Sequence, residues 1–372
     1  MTQPSAAQAP LPEALRNKIV ISVDAMGGDQ GAAAVVHGMA LSRDKNPDIA
    51  FILHGPRDTL EDLVRRRQLQ DCCVIRDAAG IVTMEERPSQ VMRHGKGTSM
   101  WSAIESVRDK DASVAVSCGN TGALMALSMV RLRKLPGINR PAIACLWPSR
   151  SPHEYAVMLD GGADIRADEQ DLLQYALMGV SYARDGLGIE TPRVGLLNVG
   201  TEDHKGRPEL KLAADLIEAE SANHSFSYCG FVEGSDIPSG DVDVIVTDGF
   251  SGNIALKSAE GTAKLISEFL GQAFRYSPLS RIASILAITS LKRLQRRIDP
   301  RRVNGGVFLG LNGIVVKSHG SADATGVSAA IKLAFQLANS KFSDTLAAKI
   351  ATRSQSTTSD LEGHGAESGK TA

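Results

Sequence analysis

Net charge is almost absent from this chain: 41 lysines and arginines face 42 aspartates and glutamates. That balance argues against a nucleic-acid binder and against an acidic, solvating protein, so any electrostatic partner site must be local. Cysteine is scarce as well. The five that occur, Cys72, Cys73, Cys118, Cys145 and Cys229, form no C-x-x-C pair and no zinc spacing. They read as reduced thiols buried in or beside apolar runs, not as a disulfide frame or a metal site. No stretch reaches the roughly 18 to 20 uninterrupted apolar residues of a membrane-spanning helix, which leaves peripheral contact as the expected limit of any membrane role. Nucleotide signatures are missing too: there is no G-x-x-x-x-G-K-[ST], and no G-x-G-x-x-G follows the first strand-like run. Gly249-Phe250-Ser251-Gly252 lacks the spacing of a G-x-S-x-G nucleophile elbow, and His153-Glu154 lacks the second histidine of a zinc protease.

What is present is apolar material, 43% of 372 residues, enough for one large α/β domain or two smaller lobes. Short β-branched runs at 18–23, 49–53, 73–76, 113–117, 142–146, 155–159, 193–198, 243–247 and 313–317 alternate with helical patterns. The helical patterns fall at 32–43, 98–108, 123–133, 169–184, 209–218, 254–274 and 323–338. Alternation of this kind predicts βαβ units and a largely parallel sheet. Residues 1–17, rich in Ala, Pro and Gln, are expected to form a disordered arm and do not read as a secretory signal. Residues 18–341 then make one α/β unit, and the polar residues 342–372 a mostly disordered tail.

Four strand ends run into small, polar turns that open helices: Asp24-Ala25-Met26-Gly27-Gly28-Asp29, Ser117-Cys118-Gly119-Asn120-Thr121-Gly122, Asp248-Gly249-Phe250-Ser251-Gly252-Asn253 and His319-Gly320-Ser321-Ala322-Asp323. A fifth segment, Asn198 to Gly206, adds a flexible cation in Lys205. In a parallel sheet such turns share the carboxyl edge, where backbone N–H groups and helix N-termini attract anions. The expectation is one phosphate-binding crevice. Tight βα turns also need these residue types for purely structural reasons, and any one loop alone is as well explained that way.

The runs Ile21-Ser22-Val23-Asp24-Ala25-Met26-Gly27-Gly28-Asp29, Ser117 to Ala123, Arg193 to Asp203 and Val246 to Asn253 resemble the bacterial phosphate acyltransferases, which convert acyl-[acyl carrier protein] and phosphate into acyl phosphate. The resemblance spans about 18–341 in the right order. It implies a three-layer α/β/α sandwich like isocitrate and isopropylmalate dehydrogenases and phosphotransacetylases, with a protruding helical hairpin. It also implies a homodimer, no metal and no organic cofactor, and hand-over of the product to a membrane-bound glycerol-3-phosphate acyltransferase. By the same resemblance the catalytic lysine falls on Lys205 and the catalytic asparagine on Asn253. Asp24, Gly27, Gly28, Asn120, Thr121, Gly122, Gly249, Ser251, Gly252, His319, Gly320 and Ser321 are the expected phosphate and substrate contacts. Rivals are a coenzyme A-dependent transacylase, an NAD-dependent decarboxylating dehydrogenase, for which metal-binding carboxylates are lacking, and a non-catalytic membrane scaffold.

Phosphate is already anionic near neutral pH, so positioning and charge matter more than base assistance. Lys205 would offset its charge and Asn253 would donate to the oxyanion; His204 and His319 are candidates to assist proton transfer to the leaving thiolate, with a loop hydrogen-bonding role the better reading of either alone. One further segment stands out. Between 276 and 302, Leu279, Ile282, Ile285, Leu286, Leu291 and other apolar residues recur every three or four positions, with seven lysines and arginines and the single acid Asp299. An interfacial helix on an anionic membrane has this composition, and so does an amphipathic helix packed on its own domain or at a dimer interface. The resemblance favours membrane contact at the inner face of the cell membrane through Ile282, Ile285, Leu286 and Leu291, with a hinge at Thr289-Ser290 and the protein otherwise cytoplasmic.

Overall fold

The computed structural model describes residues 12–340 apart from 203, 223–225, 292 and 294–304, together with 342 and 346. The strands are β1 (Ile19–Asp24), β2 (Ile49–Gly55), β3 (Cys73–Asp77), β4 (Val114–Ser117), β5 (Ala142–Pro148), β6 (Tyr155–Leu159), β7 (Arg193–Leu197), β8 (Ser227–Val232), β9 (Val244–Val246), β10 (Gly306–Leu309) and β11 (Ile314–Lys317). The first helices are α1 (Glu13–Arg16), α2 (Gly31–Arg43), α3 (Arg57–Arg66), α4 (Pro88–His94), α5 (Ser99–Arg108) and α6 (Thr121–Arg131). They are followed by α7 (Glu169–Ser181), α8 (Pro208–Ser221), α9 (Gly249–Arg275), α10 (Pro278–Leu286) and α11 (Ala324–Asn339).

All strands join one sheet in the order β3-β2-β1-β4-β11-β10-β5-β6-β9-β7-β8. The central strands are buried along their length, as strands covered on both faces must be. In β2, Ile49, Phe51 and Leu53 enter one apolar cluster, and Ala50 and Ile52 enter the cluster on the other face. The alternation follows from the two-residue period of a strand. Helices on each side complete the sandwich, with α11 lying on α2 across the first cluster.

The sheet is largely parallel, yet it changes direction at its centre. β10 pairs antiparallel with both β11 and β5, and β5 antiparallel with β6. Consequently β1, β2, β3, β4, β5 and β11 run one way, while β6, β7, β8, β9 and β10 run the other. The single carboxyl edge expected for all the glycine-rich turns is therefore corrected to two opposite edges. One carries the turns after β1, β4 and β11, and the other those after β6, β7 and β9.

Three smaller expectations are also corrected. The α/β body does not stop at 341: Phe342 and Leu346 are buried in the main core, and Phe342 packs edge-on against Tyr182 at 5.8 Å between ring centroids. The break after α10 falls at Ala287, with 288–291 helical again, and not at Thr289-Ser290; residues 292 and 294–302 of that segment lie outside the described residues. Cys229 is exposed on the edge strand β8 and Cys145 half-buried, whereas Cys72, Cys73 and Cys118 are buried as expected. The expected arm, apart from 12–17, and the tail beyond 346 also lie outside the described residues.

Beneath the first edge, His54 is fully buried among hydroxyls. Its Nε2 lies 2.9 Å from Ser22 Oγ and its Nδ1 2.9 Å from Ser102 Oγ. Burial, with the nearby charge of Arg76, pushes the imidazole down to about 3 from its ordinary 6.5. The unfolded chain therefore binds a proton below pH 6.5 that the folded chain refuses until about pH 3, so stability is lost as pH falls through that window. Denaturant titrations between pH 6.5 and 4.5 are expected to show a loss approaching about 1.4 kcal/mol per pH unit from this group. A folded His54→Gln variant should have a shallower acid slope; an unchanged slope would remove His54 as its source.

Candidate functional site

At the first edge, Asp24 at the end of β1 is held by Ser117 at the end of β4, whose Oγ donates to Asp24 Oδ2 at 2.7 Å. Burial raises the Asp24 carboxyl pKa, and hydrogen bonds from Ser99, Ser117 and Met26 only partly offset that. The turns are then stitched together by close approach. A Cβ at Gly27 would collide with the Gly119 backbone, and Asp29 N–H donates to the Gly320 carbonyl at 2.8 Å. Asn120 caps α6 by accepting from Ala123 N–H, and its Nδ2 donates to the carbonyls of Met84 and Glu86. Asp24, Gly27, Asn120 and, against Pro88, Gly122 thus build the edge.

At the opposite edge Asp160, just past β6, organises the turn. Its carboxylate accepts N–H groups from Ile143, Gly162, Ala163 and Asp164. Against this turn sits the start of α9. Asp248 caps the helix by accepting from Ser251 N–H at 2.7 Å, and its other oxygen pairs with Arg207. Gly249 and Gly252 are buried and press on the 160–164 backbone so closely that no side chain fits.

A cavity of about 570 Å³ connects the two edges. Its apolar wall includes Ile143, Leu146, Trp147, Ile165, Phe250 and Ile254; its polar lining includes Thr121, Asn253, Lys257, Glu260, Lys317, Ser318 and His319. α9 makes the connection. It begins beside β9 at one edge, and roughly 16 Å later, at 1.5 Å per residue, Glu260 meets His319 from the other edge, Oε1 to Nε2 at 3.2 Å. Lys257 closes the group on Glu260 at 2.9 Å. Burial alone would raise the Glu260 pKa, but hydrogen bonds from His319 and Lys257 outweigh it and hold the carboxyl at about 2.

Of the residues expected from the sequence, Thr121, Gly249, Asn253 and His319 line this cavity. Asp24, Gly27, Gly28, Asn120, Gly122, Ser251, Gly252, Gly320 and Ser321 stand behind or beside its lining. Lys205 is at the Asn253 edge, in the loop after β7, where its Nζ pairs with Glu202 at 2.8 Å; it is not among the cavity's lining residues. Sequence reasoning missed Lys257, Glu260 and Lys317. The first two sit one and two turns beyond Asn253, a helical spacing that was readable. Lys317 reads as an ordinary strand end until the fold buries it. Among the described residues no group of three or more His, Cys, Asp or Glu side chains could hold a metal ion.

Comparison with known proteins agrees with this architecture. Residues 19–345 match the family model described as "Fatty acid synthesis protein". The chain is 70% identical over 334 residues to a phosphate acyltransferase of Paracoccus denitrificans, covering 90% of each chain. In fold it is similar to a phosphotransacetylase from Streptococcus pyogenes, with a TM-score of 0.57 at 16% identity over 88% of this chain and 95% of that one. A 4-hydroxythreonine-4-phosphate dehydrogenase from Salmonella typhimurium is similar at a TM-score of 0.50 and 14% identity, over 86% of this chain and 99% of that one. Matching its relatives almost from end to end, the chain belongs to the phosphate acyltransferase family of fatty acid synthesis proteins.

Proposed function

We propose that the chain transfers a fatty acyl group from acyl-[acyl carrier protein] to inorganic phosphate, making acyl phosphate for a membrane-bound glycerol-3-phosphate acyltransferase. The observation that carries this reading is the cavity itself, in a chain of this family: an apolar wall able to receive an acyl chain is joined to a polar lining rich in cations. A phosphate oxygen attacks the thioester carbonyl, the C–O bond forms, and a tetrahedral oxyanion results. Asn253 Nδ2 donates to that oxyanion. Collapse breaks the C–S bond, and the thiolate leaves with the electron pair. His319, held by Glu260, is placed to supply its proton. Lys205 contributes positive charge at the Asn253 edge, and Lys205→Ala is expected to lower turnover about 100-fold.

The test is labelled phosphate with long-chain acyl-[acyl carrier protein], scored for hydroxylamine-sensitive acyl phosphate. No product would overturn the reading. Product from acyl-coenzyme A alone would replace the donor with that of the rival transacylase.

A homodimer and a peripheral membrane position belong to the same proposal. Among the described residues no helix is long and apolar enough to cross a membrane. α10 buries none of its side chains, and Ile285 and Leu286 are 67% and 81% exposed. Apolar side chains on such a face enter the headgroup boundary while nearby cations meet anionic lipid. Ile285→Glu with Leu286→Glu is expected to abolish binding to anionic vesicles and to leave dimerisation and soluble-substrate activity intact. A variant that falls into monomers would make the face an interface between subunits instead.

A further inference from the structure

Three basic side chains line the cavity, and two of them are already engaged. Lys257 and His319 both bond Glu260. Lys317 differs. Its Nζ donates to the carbonyl oxygens of Cys118, at 3.5 Å, and Ser318, and no carboxylate among the described residues lies within ion-pair distance of it. An ammonium carries three N–H donors, so one is left over. Beside it Ser318 is fully buried, and its Oγ has no hydrogen-bond partner among the described residues beyond a weak approach to the Cys118 thiol. A buried hydroxyl left in that state calls for a ligand.

The cavity reaches this rung of the sheet. Lys317 pairs across β10 with Gly306, which pairs in turn with Cys145 of β5. All three line the cavity, with Ile143 packed against the middle glycine. α9 faces the same space with Lys257, one helical turn beyond Asn253; the Lys257 charge is felt at Lys317, as are the opposite charges of Asp29 and Asp24, neither of them within ion-pair distance.

We propose that Lys317 Nζ and Ser318 Oγ form the seat of the phosphate acceptor, the amine supplying a positive charge engaged in no direct ion pair and the hydroxyl a directed hydrogen bond. The seat rests on the acyl-transfer reading above and changes the division of labour within it. Lys317 holds the phosphate, and Lys205, paired with Glu202 at the other edge, acts on turnover. An amine buried to this degree costs stability unless an anion compensates it, which gives the seat a measurable signature in the empty protein.

The experiment uses the full chain with inorganic phosphate as probe. In the wild type, saturating phosphate is expected to raise the melting temperature, as a ligand of the native state does. Lys317→Met is expected to lose that shift and to raise the KM for phosphate about tenfold or more while the KM for the acyl donor stays within about twofold, the pattern of a lost ground-state contact. Lys205→Ala should keep the phosphate-induced shift. Ser318→Ala, which removes only the hydroxyl, should weaken phosphate by a smaller factor in the same direction and serves if Lys317→Met does not fold. Methylammonium added to Lys317→Ala is expected to restore part of the activity. If wild-type protein makes acyl phosphate but Lys317→Met, or Ser318→Ala in its place, keeps both the thermal shift and the phosphate KM, the seat is wrong and the acyl-transfer reading stands. If wild-type protein makes no acyl phosphate, both fall.

Discussion

Asn253→Ala is expected to lower kcat by about 10² to 10³-fold, the usual loss when one donor to a developing oxyanion is removed. The melting temperature should barely move. Asn253 lies on the first turn of α9, is exposed, and lines the cavity with its side chain against Gly162. The capping of that helix is done by Asp248, so deleting the amide removes no structural bond. An interaction realised only in the transition state lowers kcat and kcat/KM together and leaves binding of both substrates unchanged. Asn253→Asp sharpens the test, because a carboxylate is nearly isosteric but cannot donate and repels an incoming phosphate. It should be at least as slow as the alanine variant. Steady-state kinetics with varied phosphate and acyl donor check both. Folded variants with near wild-type kcat would remove Asn253 from the chemistry.

Gly252→Ala should be among the most destructive single methyl groups in the site. Its Cβ would land on the carbonyl oxygen of Asp160, with Thr247 Cγ2 close behind at 3.0 Å. The nearest obstruction is backbone, which cannot rotate away. Overpacking commonly costs 1 to 3 kcal/mol, and a clash with fixed backbone should reach about 3 kcal/mol or more. Chemistry suffers along with stability, since pushing α9 outward carries Asn253 and Lys257 with it. The matched control is Gly261→Ala on the same helix. A Cβ there meets nothing within 4 Å, and replacing a helix-interior glycine should add up to about 1 kcal/mol. Thermal unfolding of the two variants separates the cases: equal melting temperatures would mean that the contact at Asp160 yields easily.

The parts of this fold that were legible are those with local causes. β2 is a continuous apolar run because it is covered on both faces. Asn120, Asp248 and Asp323 announce helix starts because their side chains accept backbone N–H groups there. β8 was not legible: Gly230 interrupts it, it is only partly buried, and it lies at the edge of the sheet. β10 is a four-residue strand that opens on the second glycine of the pair 305–306 and offers no alternation to detect. Its antiparallel pairing decides which loops can meet, and that is a long-range fact no window of sequence contains. The same reason hid Lys317. Its sequence neighbours are those of any strand end, and only the ladder with Gly306 and the turn at Cys118 turn it into a buried cation facing a cavity. Lys205 shows the converse. A cation in a glycine-rich loop is easy to find by eye, yet its place relative to the cavity depends on the direction in which β7 runs.

Phe342 and Leu346 set the shortest length at which this protein can be expected to fold as it does. A version trimmed at 341, where the polar character of the chain invites a cut, would lose the ring that covers Tyr182 and the buried leucine four residues beyond it. Removing a buried phenylalanine commonly costs 3 to 5 kcal/mol, about the whole margin of many domains. Anyone shortening the tail for crystallisation, or fusing a tag to it, has to keep the chain through 346.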